Sequence, residues 1–310
     1  MDRQLLLAKK ETIYGTDAVA AAIDTILAEE VSFKLTGQRV APDPAKPGVG
    51  PVASHVYGEH VEIGFKVPLA ASGVVGVAPN WGKLLKACGW AETIVEDTSV
   101  TYALVPNPKG GDSMSLIWRD DRRLHKVLGW RGRVGLDLNA GARPMLIFNG
   151  RGLHQDVADG AALVQADATW TDWNDARPVA QGTTAFTFDG VTGLGIRQFN
   201  FDQSDNVRFI DVPEQENVDL VGKRAFTGRC RMTTPPASVL NLETAWKSGA
   251  KKVFAVTHES TPGKIATVNG RTQVVEPTYS RDNGDDVVEF GTELVPSAYD
   301  TDDDLSIVLT

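Results

Sequence analysis

No stretch of this 310-residue chain approaches the roughly 18 consecutive apolar residues that a membrane-crossing helix needs. The apolar patch Leu5–Ala8 comes early, with lysines behind it, which is the wrong order and length for a signal peptide. Synthesis and assembly in a cytoplasm are therefore expected. Cysteine is almost missing. Cys88 and Cys230 stand alone, one among apolar neighbours and one in an alternating run, so both are expected to be free buried thiols. The five histidines (His55, His60, His125, His154, His258) are scattered, with no His-Glu-x-x-His, and no metal or cofactor site is expected. Positive charge is also short: 31 Lys and Arg stand against 40 Asp and Glu, a net −9. Binding driven by counterion release needs a basic face, so tight nucleic-acid binding is not expected. The basic cluster Arg119, Arg122, Arg123, Arg131, Arg133 is interrupted by Asp120 and Asp121.

What the chain does hold is short alternating runs punctuated by glycine and proline. Val61, Ile63, Phe65 and Val67 alternate with His60, Glu62, Gly64 and Lys66. Val134, Leu136 and Leu138 alternate in the same way, as do Val288, Phe290 and Leu294. A period of two describes strands with one buried and one wet face. Turns are predicted at Asn139-Ala140-Gly141, Thr261-Pro262-Gly263 and Asp282-Asn283-Gly284. The chain reads as mainly β, with antiparallel sandwich or barrel units.

Helices are few. Trp81, Leu84, Leu85 and Cys88 make an amphipathic stripe after Pro79, with Asn80 as the cap and Gly89 as the stop. Leu242, Ala245 and Trp246 make a second stripe that Gly249 ends. An N-terminal helix is expected around Asp17–Leu27. The order around the two main helices repeats: strand, irregular arm, strand, helix, then three further strands. Leu124–Leu138 falls beside Lys264–Thr278, with Arg131-Gly132-Arg133 against Asn269-Gly270-Arg271. A duplicated β unit, each copy with one flanking helix, is the resulting expectation. The first copy would span residues 1–157 with an arm at about 36–58, the connector 158–182, and the second copy 183–310.

Motifs that could carry chemistry are weak. Gly111-Asp112-Ser113-Met114-Ser115 imitates a lipase block, but it lies mid-chain and no Asp-x-x-His follows, so a serine hydrolase is a remote alternative. Gly190, Gly193 and Gly195 lack the spacing and helix of a dinucleotide loop. The acidic tail Asp300, Asp302, Asp303, Asp304 lacks a calcium loop's glycine and distal glutamate and is expected to be solvated. No catalytic residue is expected.

Three blocks carry a resemblance. The first is Arg3, Leu5, Leu6, Leu7, Ala8, Lys9, Glu11 and Tyr14-Gly15-Thr16-Asp17. The second runs Val67, Leu69, Ala70, Ser72, Gly73, Gly76, Ala78-Pro79, Trp81-Gly82, Leu84-Leu85, Ala87-Cys88-Gly89 and Ala91-Glu92-Thr93. The third runs from Leu124-His125 through Gly129, Arg131-Gly132, Val134, Leu136, Leu138, Gly141, Pro144, Leu146 and Phe148 to Gly152-Leu153. Together they resemble the major tail tube proteins of long-tailed double-stranded-DNA bacteriophages, most fully in the first half. The thinner likeness of the second half rests on Pro178-Val179, Phe186, Phe188-Asp189-Gly190 and the closing strands.

The resemblance implies a β-sandwich that joins its neighbours in a ring. Inner sheets then close into one barrel, and rings stack into a hollow tube for DNA delivery in the virion tail. Ring closure would pair edge strands that would otherwise aggregate. Duplication favours three chains per ring, with six as the alternative. Expected partners are other copies and other tail proteins (tape measure, terminator, distal tail), with DNA in transit and no membrane. Another virion structural protein, a capsid decoration or tail terminator subunit, is the alternative. The arm holds Pro42, Pro44, Pro47 and Pro51, too irregular for a strand core, and is expected to contact the next ring. Glu62, Asp137, Asp202, Glu289 and Glu293 face away from the apolar set and are the candidate lumen residues. An acidic lining would let DNA slide.

Overall fold

The structure, a computed structural model, describes residues 4–170, 173–298 and 301–310. Arg3 of the first resemblance block and Asp300 of the acidic tail lie outside the described residues. The architecture is mainly β and antiparallel. In the first half the strands are β1 (Gln4–Lys10), β2 (Thr25–Ile26), β3 (Glu29–Val40), β4 (His55–Pro68), β5 (Trp90–Val95), β6 (Ser99–Leu104), β7 (Met114–Asp120), β8 (Arg123–Asn139), β9 (Met145–His154) and β10 (Ala158–Asp159). In the second half they are β11 (Thr184–Phe188), β12 (Ile196–Gln203), β13 (Val207–Val212), β14 (Gln215–Leu220), β15 (Phe226–Thr233), β16 (Lys252–His258), β17 (Ala266–Asp282), β18 (Asp285–Leu294) and β19 (Leu305–Leu309). Two short helices, α1 (Gly82–Ala87) and α2 (Leu242–Ser248), flank the sheets.

The predicted turns are in place. Asn283 and Gly284 take φ of 52° and 90°, the left-handed pair that closes the two-residue β17–β18 hairpin. Asn139 to Ala142 closes the β8–β9 loop, and Thr261 to Lys264 the β16–β17 loop.

The strands pair in two ladders of the same order. The first runs β3-β4-β9-β8-β7-β1, and the second β12-β15-β18-β17-β16-β11. Each ladder has one 17-residue strand, β8 or β17, that serves two sheets. Its N-terminal half pairs with β7 or β16, and its C-terminal half with β9 or β18. A bulge separates the halves in both, between Leu128 and Arg131 and between Val275 and Thr278. Each bulge holds a residue at positive φ: Gly129 at 60° and Glu276 at 43°. These bulges set Arg131 against Thr278, not against Asn269 as residue likeness suggested.

The ladders join where β12 pairs with the C-terminal half of β8, Phe199 opposite Leu138 and Phe201 opposite Leu136. One continuous sheet of eight strands results, in the order β3-β4-β9-β8-β12-β15-β18-β17. Beneath it a single apolar core runs through both halves, from Val61, Phe65 and Trp130 to Phe199, Phe226 and Phe290. At the junction the Phe226 ring stands at 90° to Phe201, 5.8 Å between centroids.

Helix expectations meet mixed outcomes. The α1 stripe Trp81, Leu84, Leu85, Cys88 is buried and Gly89 ends it at positive φ, but Trp81 is the cap residue. Asn80 instead donates to the carbonyls of Ile23 and Thr25, tying the helix to β2. In α2, Asn241 caps Thr244, and Leu242 and Ala245 are buried, but Trp246 stays exposed. The helix expected at Asp17–Leu27 is not formed. Only a 3-10 turn at Ala22–Asp24 appears, because Thr25 and Ile26 enter β2 opposite Leu7 and Leu6. Asp17 turns to Val19 and Lys126 instead of starting a helix. Both cysteines are free and buried, and burial pushes each thiol pKa up. The acidic tail is solvated only in part, with Asp303 exposed and Asp302 half-buried. Asp302 pairs with Arg224, Asp303 with Arg271, and Asp304 is buried just before β19, which pairs with β17 and β6.

Candidate assembly surface

The eight-stranded sheet has a core face and an opposite face, and the alternation decides what each carries. Val61, Ile63, Phe65, Leu136, Phe148, Phe199, Cys230 and Phe290 point into the core. Glu62, Asp137, Asp202, Glu289 and Glu293 alternate with core residues in their strands, so all five lie on the opposite face. That face is an ion-paired lattice. Glu62 accepts from Lys34 at 3.3 Å and Arg151 at 3.4 Å, and Arg151 also reaches Asp205 at 3.0 Å. Arg133 meets Asp202 at 3.1 Å, and Arg229 meets Glu289 at 3.1 Å. Arg231 meets Asp282 at 3.0 Å and Lys66 meets Glu30 at 2.6 Å. Asp137 takes a hydrogen bond from Asn139, and Glu293 is exposed. Partial burial would raise the Glu62 carboxyl, but Lys34 and Arg151 together hold it below its ordinary value. Most carboxylates of this face are therefore matched by cations, because the intervening strands bring arginines into register.

Among the described residues, two edges of this sheet have no strand partner in the isolated chain. One is β3, which pairs with β4 on one side only. The other is the C-terminal half of β17, where β16 pairs only as far as Thr272. The β3–β4 hairpin extends as an arm over 36–58, and its prolines Pro42, Pro44, Pro47 and Pro51 are exposed. Along this arm and its root Leu35, Val40, Val49, Val52, Val56 and Tyr57 are also exposed. A free chain that leaves open strand edges and apolar arm residues in water is built to meet other chains.

Comparison with protein families decides which assembly this is. The family model described as phage tail tube protein matches residues 1–289. The chain belongs to the phage tail tube protein family. Comparison with curated proteins gives no match. The chain is thus a structural subunit of a phage tail tube, a component of the virion tail that self-assembles and meets other tail proteins.

In this tube subunit the residues that imitated enzyme motifs have structural duties. Ser113 Oγ donates to Glu11 at 2.7 Å, and Ser115 Oγ donates to the same carboxylate at 2.9 Å. The backbone N–H groups of Gly129 and Gly15 complete the set at 2.7 and 2.9 Å. A serine nucleophile needs a histidine base, whereas the Ser113 hydroxyl donates its hydrogen bond to a buried carboxylate in a strand-to-strand brace. The sequence placed Glu11 only in the first resemblance block and not in this brace, since three of its four partners lie about a hundred residues away. Gly190 sits in a tight turn after β11, where Phe188 and Val191 bond each other. Among the described residues no group of three or more His, Cys, Asp and Glu is placed to hold a metal ion. No helix of the described residues is long and apolar enough to cross a membrane.

Proposed function

We propose that three chains close one ring of the tail tube, with the eight-stranded sheet as the inner wall. The observation that carries this is the β12–β8 junction. There the first strand of the second ladder pairs with the free half of the long strand of the first. The two bare edges, β3 and the C-terminal half of β17, are the same two elements of the opposite ladders. Pairing them between chains repeats the internal junction and leaves no open edge. Three chains then give 24 inner strands (3 × 8). The shared strand order and the shared bulge support a duplicated unit, with boundaries near residues 157 and 183.

On this reading the open part of the face bearing Glu62, Asp137, Asp202, Glu289 and Glu293 lines the channel, with Glu62 and Glu289 at its margin, in the rows flanking the bulges. Its named cations are already matched by carboxylates, so a passing phosphate finds none free to hold it. DNA then slides because attraction is quenched locally, not because the wall is uniformly negative. The test is native mass spectrometry of the smallest closed oligomer released from tubes. A mass of three chains is expected; a mass of six chains overturns closure by this edge pair.

A further inference from the structure

We infer that the β3–β4 arm seats on the face of β15, β18 and β17 of the neighbouring chain in the same ring. The inference rests on the ring reading above and specifies where its arm goes. The observation is an internal precedent. In the second ladder the connection between the first two strands, β12 and β15, holds the β13–β14 hairpin. That hairpin occupies the topological place of the arm, and it lies across the first ladder. Phe209 stacks on His60 with ring centroids 4.5 Å apart. Val207, Val218 and Leu220 pack with Leu153. Arg131 donates to the Val218 carbonyl at 2.6 Å, and Arg151 donates to the Val207 carbonyl.

The seat under this hairpin has a counterpart in the other ladder. It consists of two cross-strand rows flanking the bulge: His60, Leu153 and Leu128, then Glu62, Arg151 and Arg131. The same rows in the second ladder are Arg229, Gly291 and Val275, then Arg231, Glu289 and Thr278. Among the described residues no hairpin covers them. They form an open depression lined by Arg229, Val275, Glu276, Thr278, Glu289 and Gly291. Glycine at 291, where the first ladder has Leu153, leaves room for an incoming side chain.

The arm supplies matching chemistry. The seated hairpin contributes Val207, Phe209 and Val218, and the arm offers Val40, Val49, Val52, Val56 and Tyr57, all exposed in the free chain. The Arg229–Glu289 pair is satisfied within its own chain, so the contact is apolar packing around Gly291 and Val275. A second copy is the occupant because ring closure at β3 carries the arm to this place. The same geometry carries β13–β14 onto the first ladder.

Cysteine cross-linking tests it. Tyr57→Cys and Thr278→Cys are placed together in the full chain; both positions are exposed, and the native thiols are buried. A short bismaleimide is applied to dilute monomer, to isolated rings and to tubes. Covalent species of two and three chains in isolated rings are expected. Adding Val56→Asp should lower the yield roughly tenfold or more, since it sets a charge where the seat offers apolar packing. Cross-links that arise only once rings stack would place the arm between rings and overturn the proposal while leaving the tube intact. Rings and tubes that form without any cross-link overturn it too. Protein that never closes rings overturns the ring reading itself, and the seat with it.

Discussion

Glu11 shows how much a single side chain can hold. Its buried carboxylate accepts four hydrogen bonds, from β7, from the bulge of β8 and from the Gly15 turn. A Glu11→Gln amide keeps one oxygen and puts donors where donors already point. Each donor stranded in the interior costs about 1–3 kcal/mol and the amide nitrogen strands two, so Glu11→Gln should lower unfolding free energy by about 2–6 kcal/mol, read by denaturant titration. A loss under about 1 kcal/mol would show the brace to be wet. His258 makes a pH prediction. Burial holds its imidazole below the ordinary histidine value, with Glu259 opposing only in part. The folded state thus prefers neutral His258, and its contribution is complete above about pH 6.5 and lost as pH falls through the depressed folded value. His125, lowered by burial, acts with the same sign. Glu62 and Asp17 are held low by their cationic partners, so their loss begins only below the carboxylate range, about pH 4. A His258→Gln chain should therefore lose less melting temperature than the parent on acidification below about pH 6.5. Equal losses would remove His258 as a source of acid sensitivity.

The bulged strands β8 and β17 decide the architecture at the next scale, and their two bulges differ in strain. Gly129 takes φ 60° without cost, and a Cβ there would also lie 2.6 Å from the Tyr14 ring. Glu276 takes φ 43° at the matching place, which a side chain resists. Gly129→Ala should destabilise by about 2 kcal/mol or more, and Glu276→Gly should stabilise by about 1 kcal/mol. Thermal unfolding of both variants checks the pair; the same sign for both would contradict the matched bulges. The sequence made elements of this kind legible wherever a strand has one wet face, as at Val61–Val67 and Val134–Leu138. It hid β1 and β19, whose short apolar runs have no clean alternation, and β13–β14, whose polar residues looked like a loop. It misled at Asp17–Leu27, where local helix preference lost to pairing of Ile26 with Leu6. Period alone set the five carboxylates opposite the core residues of their strands. Their partners were not legible, because Arg133, Arg151 and Arg229 arrive through cross-strand register.

For the whole molecule the charge lattice and the open edges belong to one design. Glu62→Lys together with Glu289→Lys would leave Lys34 and Arg229 without their carboxylates, leave Arg151 with Asp205 alone, and add two further cations. Tubes of this variant should assemble, but DNA ejection should slow at low salt and recover at high salt, since screening shortens to about 3 Å at 1 M. Ejection kinetics that match the parent at low salt would mean these two side chains do not line the channel. The account stands most directly on the assembled object. Cryo-electron microscopy of purified protein should show hollow filaments of stacked rings, each ring of three chains with 24 inner strands (3 × 8) and every β3 paired to a neighbour's β17. Protein that forms no hollow filament, or rings whose inner sheets are joined through other strands, would contradict it.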